Sequence, residues 1–226
     1  MPGSGAAKGR IGWDPAPRQG WVAPHIASEF PGLGIAWVEV GVRPGKSPEA
    51  VRRRLRALSD RIYGAEAIRL RERPIPWAYR VFYRQIGFDP DRTRTPVEQL
   101  IFERLHDGGF RTHGLPADAL NIAIVETGVA LRTFDADTLD GGLCIRDSAP
   151  GEGLAGRSGE LAQGTLTIAD ESRPVGLLFG ATAAGRGVEP ATRQATIVAI
   201  QVNGVPQIAV EEALWMAAAT AEAPGP

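Results

Sequence analysis

The chain has 226 residues, one cysteine and a formal net charge of −1 at pH 7. This length suits one large domain or two small ones and buries enough surface to fold without a covalent cross-link. The single cysteine, Cys144, excludes an internal disulfide. No apolar run is long enough for a secretory signal or a membrane helix, so we expect a cytoplasmic protein with no membrane partner.

Charge is divided unevenly along the sequence. Residues 1–113 hold 19 basic and 12 acidic side chains, whereas residues 114–226 hold 6 and 14. Such polarity is typical of a protein that binds a polyanion, and it is equally well explained by attraction between the two halves. Arginine supplies nearly all of the positive charge. That excess suits phosphate recognition, although a genomic base-composition bias explains it as well.

The first part of the chain predicts a leader, a strand and a basic helix. We expect a flexible leader over residues 1–24 and a central strand over residues 35–42, which are almost continuously apolar. Ser47-Pro48-Glu49 is a helix start, and an apolar stripe follows at helical spacing. The opposite face of this helix, residues 49–62, indicates either a solvated surface or an RNA contact. It carries Arg52, Arg53, Arg54, Arg56 and Arg61.

The remainder predicts further helices, then short strands, then a last helix. Three helices are expected at 77–86, from Thr95 to Gly108-Gly109, and at 116–127. Glycine-rich turns separate the strands expected beyond Gly128. These strands span 129–134, 142–146, 165–169, 174–179 and 195–202. A helix at 207–219 precedes a flexible tail at 221–226. This order favours a single α+β domain over residues 25–220.

Common catalytic motifs are missing from the sequence. Residues 180–187 have the glycine spacing of a phosphate-binding loop, but Arg186 and Gly187 replace the lysine and the hydroxyl residue that such a loop needs. His106 and His113 have no further ligands nearby, so we expect no metal and no cofactor. A Gly-x-Ser-x-Gly turn is absent, which leaves a hydrolase of that class without support.

Two series of residues are more specific. The first is the continuous stretch from Trp77 to Arg94. The second combines Asp118-Ala119-Leu120-Asn121, Thr133-Phe134-Asp135, Leu139, Gly141, Arg146, Gly151-Glu152, Ile168-Ala169-Asp170, Pro174-Val175 and the segment 187–192. In order and spacing, this combination resembles the B3/B4 domain of the phenylalanyl-tRNA synthetase β subunit, and the first stretch resembles stand-alone proteins that carry this domain. The resemblance covers residues 30–205.

The resemblance implies a pocket that receives the aminoacylated end of tRNA, where the synthetase hydrolyses wrongly attached tyrosine. A site that pairs a hydroxyl group discriminates strongly against substrates without one. The implied substrate-binding residues are Asn121, Arg132, Phe134, Asp135, Gly180, Ala184 and Thr192. Two of these positions depart from the synthetase pattern, because Arg132 replaces a histidine and Ala184 replaces a glutamate. Arginine is always protonated near neutral pH and is therefore no replacement for a general base.

Three functional interpretations remain open. The first is binding of tRNA or aminoacyl-tRNA through Arg80, Arg84, Arg92 and Arg94, with trans-editing deacylation as a further activity. Candidate catalytic hydroxyls for that activity are Thr182 and Thr192, holding water for a substrate-assisted attack. The second is binding of an amino acid or another carboxylate with Arg132 as the anchor and no role for RNA. The third is a purely structural role.

Overall fold

The computed structural model describes residues 16–222 and contains eight strands and seven α-helices in that range. The strands are β1 (Arg18–Gln19), β2 (Trp21–Val22), β3 (Gly34–Gly41), β4 (Ala130–Asp135), β5 (Cys144–Asp147), β6 (Leu166–Ala169), β7 (Pro174–Leu177) and β8 (Gln194–Gln201). The helices are α1 (Pro24–Glu29), α2 (Glu49–Arg61), α3 (Gly64–Glu72), α4 (Pro74–Gln85), α5 (Pro96–Asp107), α6 (Ala117–Thr127) and α7 (Gln207–Ala221).

The first sheet has the order β1-β3-β8-β4, and all of its pairs are antiparallel. β3 and β8 form its centre and pair over eight residues. Both strands are buried along nearly their whole length, which explains their almost continuous apolar sequence. α7 packs against both strands, and α6 packs against α7.

The second sheet has the order β2-β5-β6-β7, in which only the β2–β5 pair is parallel. The chain passes from the first sheet to the second at Gly20, between β1 and β2. A Cβ atom on Gly20 would lie 2.2 Å from the carbonyl oxygen of Leu143 and 2.6 Å from a methyl carbon of Ile35. The two sheets therefore meet at a point that only a glycine fits.

Polar contacts hold α4 against the first sheet and cap the start of α5. Tyr79 of α4 is buried, and its hydroxyl donates to the carbonyl of Ile200 in β8 while accepting from the amide of Ala130 in β4. α5 begins with the capping arrangement expected at Thr95, in which Glu98 accepts from the backbone amide and the hydroxyl of Thr95. Tyr79 therefore ties α4 to β4, the edge strand that carries Arg132, Phe134 and Asp135.

The arginines of α2 are largely paired within the chain. Ion pairs join Arg52 and Arg56 to Glu49, and Arg54 and Arg61 to Glu126. Pairing of this kind on an exposed helix contributes little to stability and keeps the face solvated. It favours the solvated interpretation of this helix over the RNA contact.

The structure confirms the α+β order and corrects its N-terminal boundary. Residues 16–24 fall within the expected leader, yet β1 and β2 pair there with β3 and β5. The two strands are too short for a periodicity to reveal them, and α1 and α3 were not predicted either. The other parts of the expected leader and tail, residues 1–15 and 223–226, lie outside the described residues. No helix within residues 16–222 has the length and apolar content needed to cross a membrane.

Candidate functional site

Arg132 and Thr182 are brought together from distant parts of the sequence. Arg132 lies on β4, and its guanidinium crosses to the turn that follows β7. It donates to the carbonyl oxygens of Leu177 and Leu178, the latter at 3.4 Å, and to the hydroxyl of Thr182 at 2.8 Å. Two of the predicted residues therefore form one hydrogen-bonded unit between the two sheets.

Arg132 carries a charge without a carboxylate counterpart. Among residues 16–222, no acidic side chain lies within ion-pair distance of its guanidinium. Burial lowers the pKa of Arg132 to about 10, and the nearby Tyr83 opposes that effect. The group remains protonated at neutral pH. Because a guanidinium has five N–H donors and three hydrogen bonds are formed here, two donors have no partner among the described residues.

Asp135 and Thr192 form a second unit, which holds the backbone in place. The Thr192 hydroxyl donates to Asp135 Oδ2 at 2.5 Å and accepts from the amide of Glu189 at 3.0 Å. Asp135 Oδ1 accepts from the amide of Asp137. Thr192 is buried. Its proton is already donated to Asp135, so this geometry favours a structural role for Thr192 over the expected catalytic one.

The ring of Phe134 packs against the guanidinium of Arg132. The phenyl ring is fully buried in the main core, and the guanidinium carbon of Arg132 lies 5.5 Å from the ring centroid. Arginine packs well on aromatic faces because its planar cation is attracted to the ring electrons. Because the Phe134 ring has no exposed surface, the structure does not support the direct substrate contact expected of it.

Gly180 and Ala184 lie on the exposed turn around Thr182. Backbone bonds from Leu177 to Ala181 and from Ala183 to Val175 close this turn as a hairpin. Ala184 borders a cavity of about 310 Å³, together with Arg173 and Arg186. The methyl side chain of Ala184 supplies no hydrogen-bonding group to that cavity.

Arg186, the residue at the lysine position of the rejected phosphate loop, is used internally. It is buried and lies 3.4 Å from Asp170. Burial acts to raise the pKa of Asp170, but the amides of Arg173, Ser172 and Asp140 outweigh it and the pKa is lowered. Because Arg186 pairs with Asp170, its position in this turn requires no bound nucleotide.

Asn121 has no hydrogen bond to Arg132 among the described residues. It is half-buried on α6. Within residues 16–222, no hydrogen bond of its side chain connects it to Arg132 or Thr182. Its place in the site remains a prediction from the resemblance.

The four predicted RNA contacts occupy different environments. Arg80 is buried and donates to Glu98 at 2.6 Å and to Asp91 at 2.7 Å, so it is unavailable to a phosphate and its expected role is corrected. Arg84 and Arg92 are exposed. Arg84 lies over the ring of Trp77, at 5.5 Å from the centroid. Arg94 lies over the exposed ring of Phe102, at 3.7 Å.

Sequence reasoning missed Tyr83. This residue of α4 has only 2% of its surface exposed, and its ring packs on Phe179 with a centroid distance of 5.0 Å. Burial raises the pKa of Tyr83, with a smaller increase from Glu98 and an opposing effect from Arg132. The sequence did contain a signal that Tyr83 lies close to Tyr79. The two residues are four positions apart on a predicted helix and therefore share one of its faces.

Metal chemistry finds no support in the described part of the chain. No group of three histidine, cysteine, aspartate or glutamate side chains within residues 16–222 is placed to hold an ion. Cys144 is buried, and burial raises the pKa of its thiol. A protonated, enclosed thiol is a poor nucleophile.

Comparison with known families identifies the matched region. A family model described as the B3/4 domain matches residues 78–213, which is more than half of the 226 residues. This range contains Tyr83, Arg132, Thr182 and the exposed arginines of the α4–α5 segment.

Similar proteins are phenylalanine–tRNA ligase β subunits. The protein of Xanthomonas oryzae pv. oryzae is 42% identical over 94 residues, which cover 40% of this chain and 12% of the relative. That of Legionella pneumophila is 35% identical over 97 residues, covering 40% and 12%. That of Hahella chejuensis is 32% identical over 85 residues, covering 36% and 11%. The chain therefore spans only about an eighth of the length of these relatives.

Proposed function

The chain belongs to the B3/4 domain family, and from that premise we propose that it binds tRNA at the 3′ end, including an aminoacyl group attached there. The observation that carries the proposal is Arg132, a cation without a carboxylate partner in the described residues, inside the matched region. Two free N–H donors beside an exposed turn suit an oxygen-rich ligand. The relatives, which are named as tRNA ligase subunits, support tRNA as its source.

The surface of the α4–α5 segment supports an RNA partner. Arg84, Arg92 and Arg94 lie on this segment, and two of them stack on exposed aromatic rings. The 3′ end of tRNA is single-stranded. Unpaired bases stack on aromatic and guanidinium surfaces, while arginines contact the phosphates.

Hydrolysis of an aminoacyl ester is a further activity that we propose for this site. Arg132 is not a base, so it would stabilise negative charge on the ester carbonyl rather than activate water. Thr182 accepts a hydrogen bond from Arg132 and keeps its own proton. That proton can be donated in a hydrogen bond to the ester carbonyl oxygen while a water molecule attacks the carbonyl carbon. The bond from that carbon to the ribose oxygen then breaks, and the neighbouring ribose hydroxyl relays the proton of the water to the departing oxygen, which releases the amino acid and the tRNA.

Filter binding of bulk tRNA over a salt series tests the proposal. We expect binding that weakens steeply with salt, because phosphate contacts release counterions. Replacing Arg84, Arg92 and Arg94 with alanine should lower the slope of log K against log salt by about 0.7 for each phosphate that is no longer neutralised, the value for single strands. Binding that is absent at low salt, or unaffected by salt, would contradict the proposal.

A matched variant controls for net charge. Replacing Arg53, Arg56 and Arg61 removes the same charge from the exposed face of α2. We expect this variant to keep most of the wild-type slope. An equal decrease in both variants would mean that tRNA is held by general attraction rather than by the α4–α5 segment.

A second candidate function is binding of a free carboxylic acid without RNA. The same uncompensated charge of Arg132 favours it. The tRNA titration separates the two, because a carboxylate-binding protein without an RNA role would leave tRNA unbound at every salt concentration.

A further inference from the structure

A cavity with two arginines lies beside the turn that follows β7. Its volume is about 310 Å³, and ligand pockets in proteins begin at about 300 Å³, so it suits a small ligand. Of the described residues that border it, Arg173 and Arg186 are charged and none is acidic. Arg132 and Thr182 do not border it. The cavity is therefore separate from the hydrogen-bonded unit that those two residues form.

Arg186 is a buried cation whose charge is only partly compensated. Its side chain is 8% exposed, and its ion pair within residues 16–222 joins Nη2 to Asp170 at 3.4 Å. Asp170 also accepts hydrogen bonds from the amides of Asp140, Ser172 and Arg173 and from the hydroxyl of Ser172. The carboxylate is thus shared among several donors. The single contact at Nη2 leaves Nε and Nη1 of Arg186 without a partner among the described residues.

These two nitrogens of Arg186 reach open space. Every fully enclosed side-chain nitrogen or oxygen of residues 16–222 has a hydrogen-bond partner. A nitrogen without a partner is therefore not fully enclosed, and the open space that Arg186 borders is this cavity. Arg173 borders it too. Arg173 is exposed, and within the same range no acidic side chain lies within ion-pair distance of its guanidinium.

The chemistry of two guanidiniums at one cavity favours a phosphate group. The two cations repel each other, and an anion that contacts both removes that repulsion. A guanidinium pairs with phosphate oxygens through two N–H donors at once. A phosphate has oxygens on every side and can accept from both arginines, whereas a carboxylate presents two oxygens on one edge. Ala184, on the same wall, adds no competing charge.

We propose that this cavity binds a phosphate group through the guanidiniums of Arg173 and Arg186. The inference goes beyond the proposed function and does not rest on it, because it uses neither Arg132 nor an aminoacyl group. The phosphate has two possible sources, a small phosphate ion or ester in solution and the backbone of an RNA. The recognition chemistry is the same for both.

Titration calorimetry with inorganic phosphate at constant ionic strength tests the site, with acetate as the carboxylate probe. We expect phosphate to bind more tightly than acetate. Arg173→Gln should weaken phosphate binding about tenfold to a hundredfold, the usual effect of removing a hydrogen bond to a charged group. Arg53→Gln is the matched control, because Arg53 is exposed on α2 and does not border the cavity. It should bind phosphate as the wild type does.

A second pair of variants changes the charge of the cavity wall at constant size. Ala184 is exposed and borders the cavity. Ala184→Glu should weaken phosphate binding at least about tenfold, because the new carboxylate pairs with the arginines and repels the anion. Ala184→Gln should have a much smaller effect. Thermal melting checks that each variant is folded. Absence of phosphate binding, equal binding of acetate, unchanged affinity of Arg173→Gln, or equal affinities of the two Ala184 variants would each overturn the inference.

The tRNA titration distinguishes the two sources. If an RNA supplies the phosphate, Arg173→Gln lowers the affinity for tRNA, and inorganic phosphate displaces tRNA more strongly than chloride at the same ionic strength. If the ligand is a small phosphate, both treatments leave tRNA binding unchanged. A protein that binds tRNA but no phosphate would overturn this inference alone, and one that binds phosphate but no tRNA would overturn the proposed function alone.

Discussion

Thr182 and Thr192 have the same chemistry and opposite surroundings. Thr192 is buried and uses its hydroxyl to bind Asp135 and the amide of Glu189. Thr182 is half-buried and receives one hydrogen bond from Arg132. Only Thr182 retains a proton for a ligand. The sequence offered both as catalytic candidates because a residue type alone does not reveal whether its hydroxyl is already used.

Valine substitutions should separate the two threonines. We expect Thr192→Val to lower the free energy of unfolding by about 1–3 kcal/mol, because it leaves Asp135 Oδ2 and the amide of Glu189 without their hydrogen-bond partner. Thr182→Val should cost less than about 1 kcal/mol while lowering any deacylation of aminoacyl-tRNA. Urea denaturation and an ester-hydrolysis assay measure the two effects. Equal stability of the two variants would contradict the assignment.

At the scale of elements, the join between the two sheets depends on a close approach of backbones. β1 pairs with β3 in one sheet, and β2 pairs with β5 in the other. Gly20, between them, donates its amide to the carbonyl of Ile35 at 2.9 Å. Its lack of a side chain lets the chain pass between Ile35 and Leu143.

Gly20→Ala should destabilise this join. The added Cβ would lie 2.2 Å from a backbone oxygen, which has no flexible end to move away. Overpacking of this kind typically costs about 1–3 kcal/mol. Gly142→Ala is the control, because nothing lies within 4 Å of a Cβ at that position. If chemical denaturation gave the same midpoint for both variants, the backbone around Gly20 would be able to shift and accept a side chain at little cost in stability.

At the scale of the whole molecule, most ion pairs of the described residues join side chains from the same half of the sequence. Among the ion pairs of residues 16–222, those that link the two charge-opposed halves are His25–Asp147, Arg54–Glu126 and Arg61–Glu126. Pairs within one half outnumber these three. Attraction between the halves therefore explains little of the uneven charge.

The N-terminal strands should matter for the stability of the whole domain. Deleting residues 1–23 removes β1 and β2 and leaves the edges of β3 and β5 unpaired. We therefore expect the free energy of unfolding to decrease by about 1–2 kcal/mol through the lost backbone hydrogen bonds, together with a tendency to aggregate. A chain that begins at residue 16 is the reference. Thermal unfolding and light scattering measure both effects. Identical curves for the two truncations would mean that the strands contribute nothing.

The sequence by itself determined the elements whose causes are local. The capped start of α5, the glycine ends of α5 and α6 and the long apolar strands β3 and β8 follow from residues within a few positions of one another. The ordered series of short motifs also determined the family. The sequence did not predict the short strands β1 and β2, because two residues are too few to show a periodicity.

Only the tertiary structure decided which polar groups remain free for function. Arg132 meets Thr182 across 50 positions of sequence, and Thr192 meets Asp135 across 57. Arg80 is paired with Glu98 and Asp91, whereas Arg84 is exposed to solvent. A hydrogen bond satisfies a group through whatever lies beside it in space, and no local pattern records that neighbour.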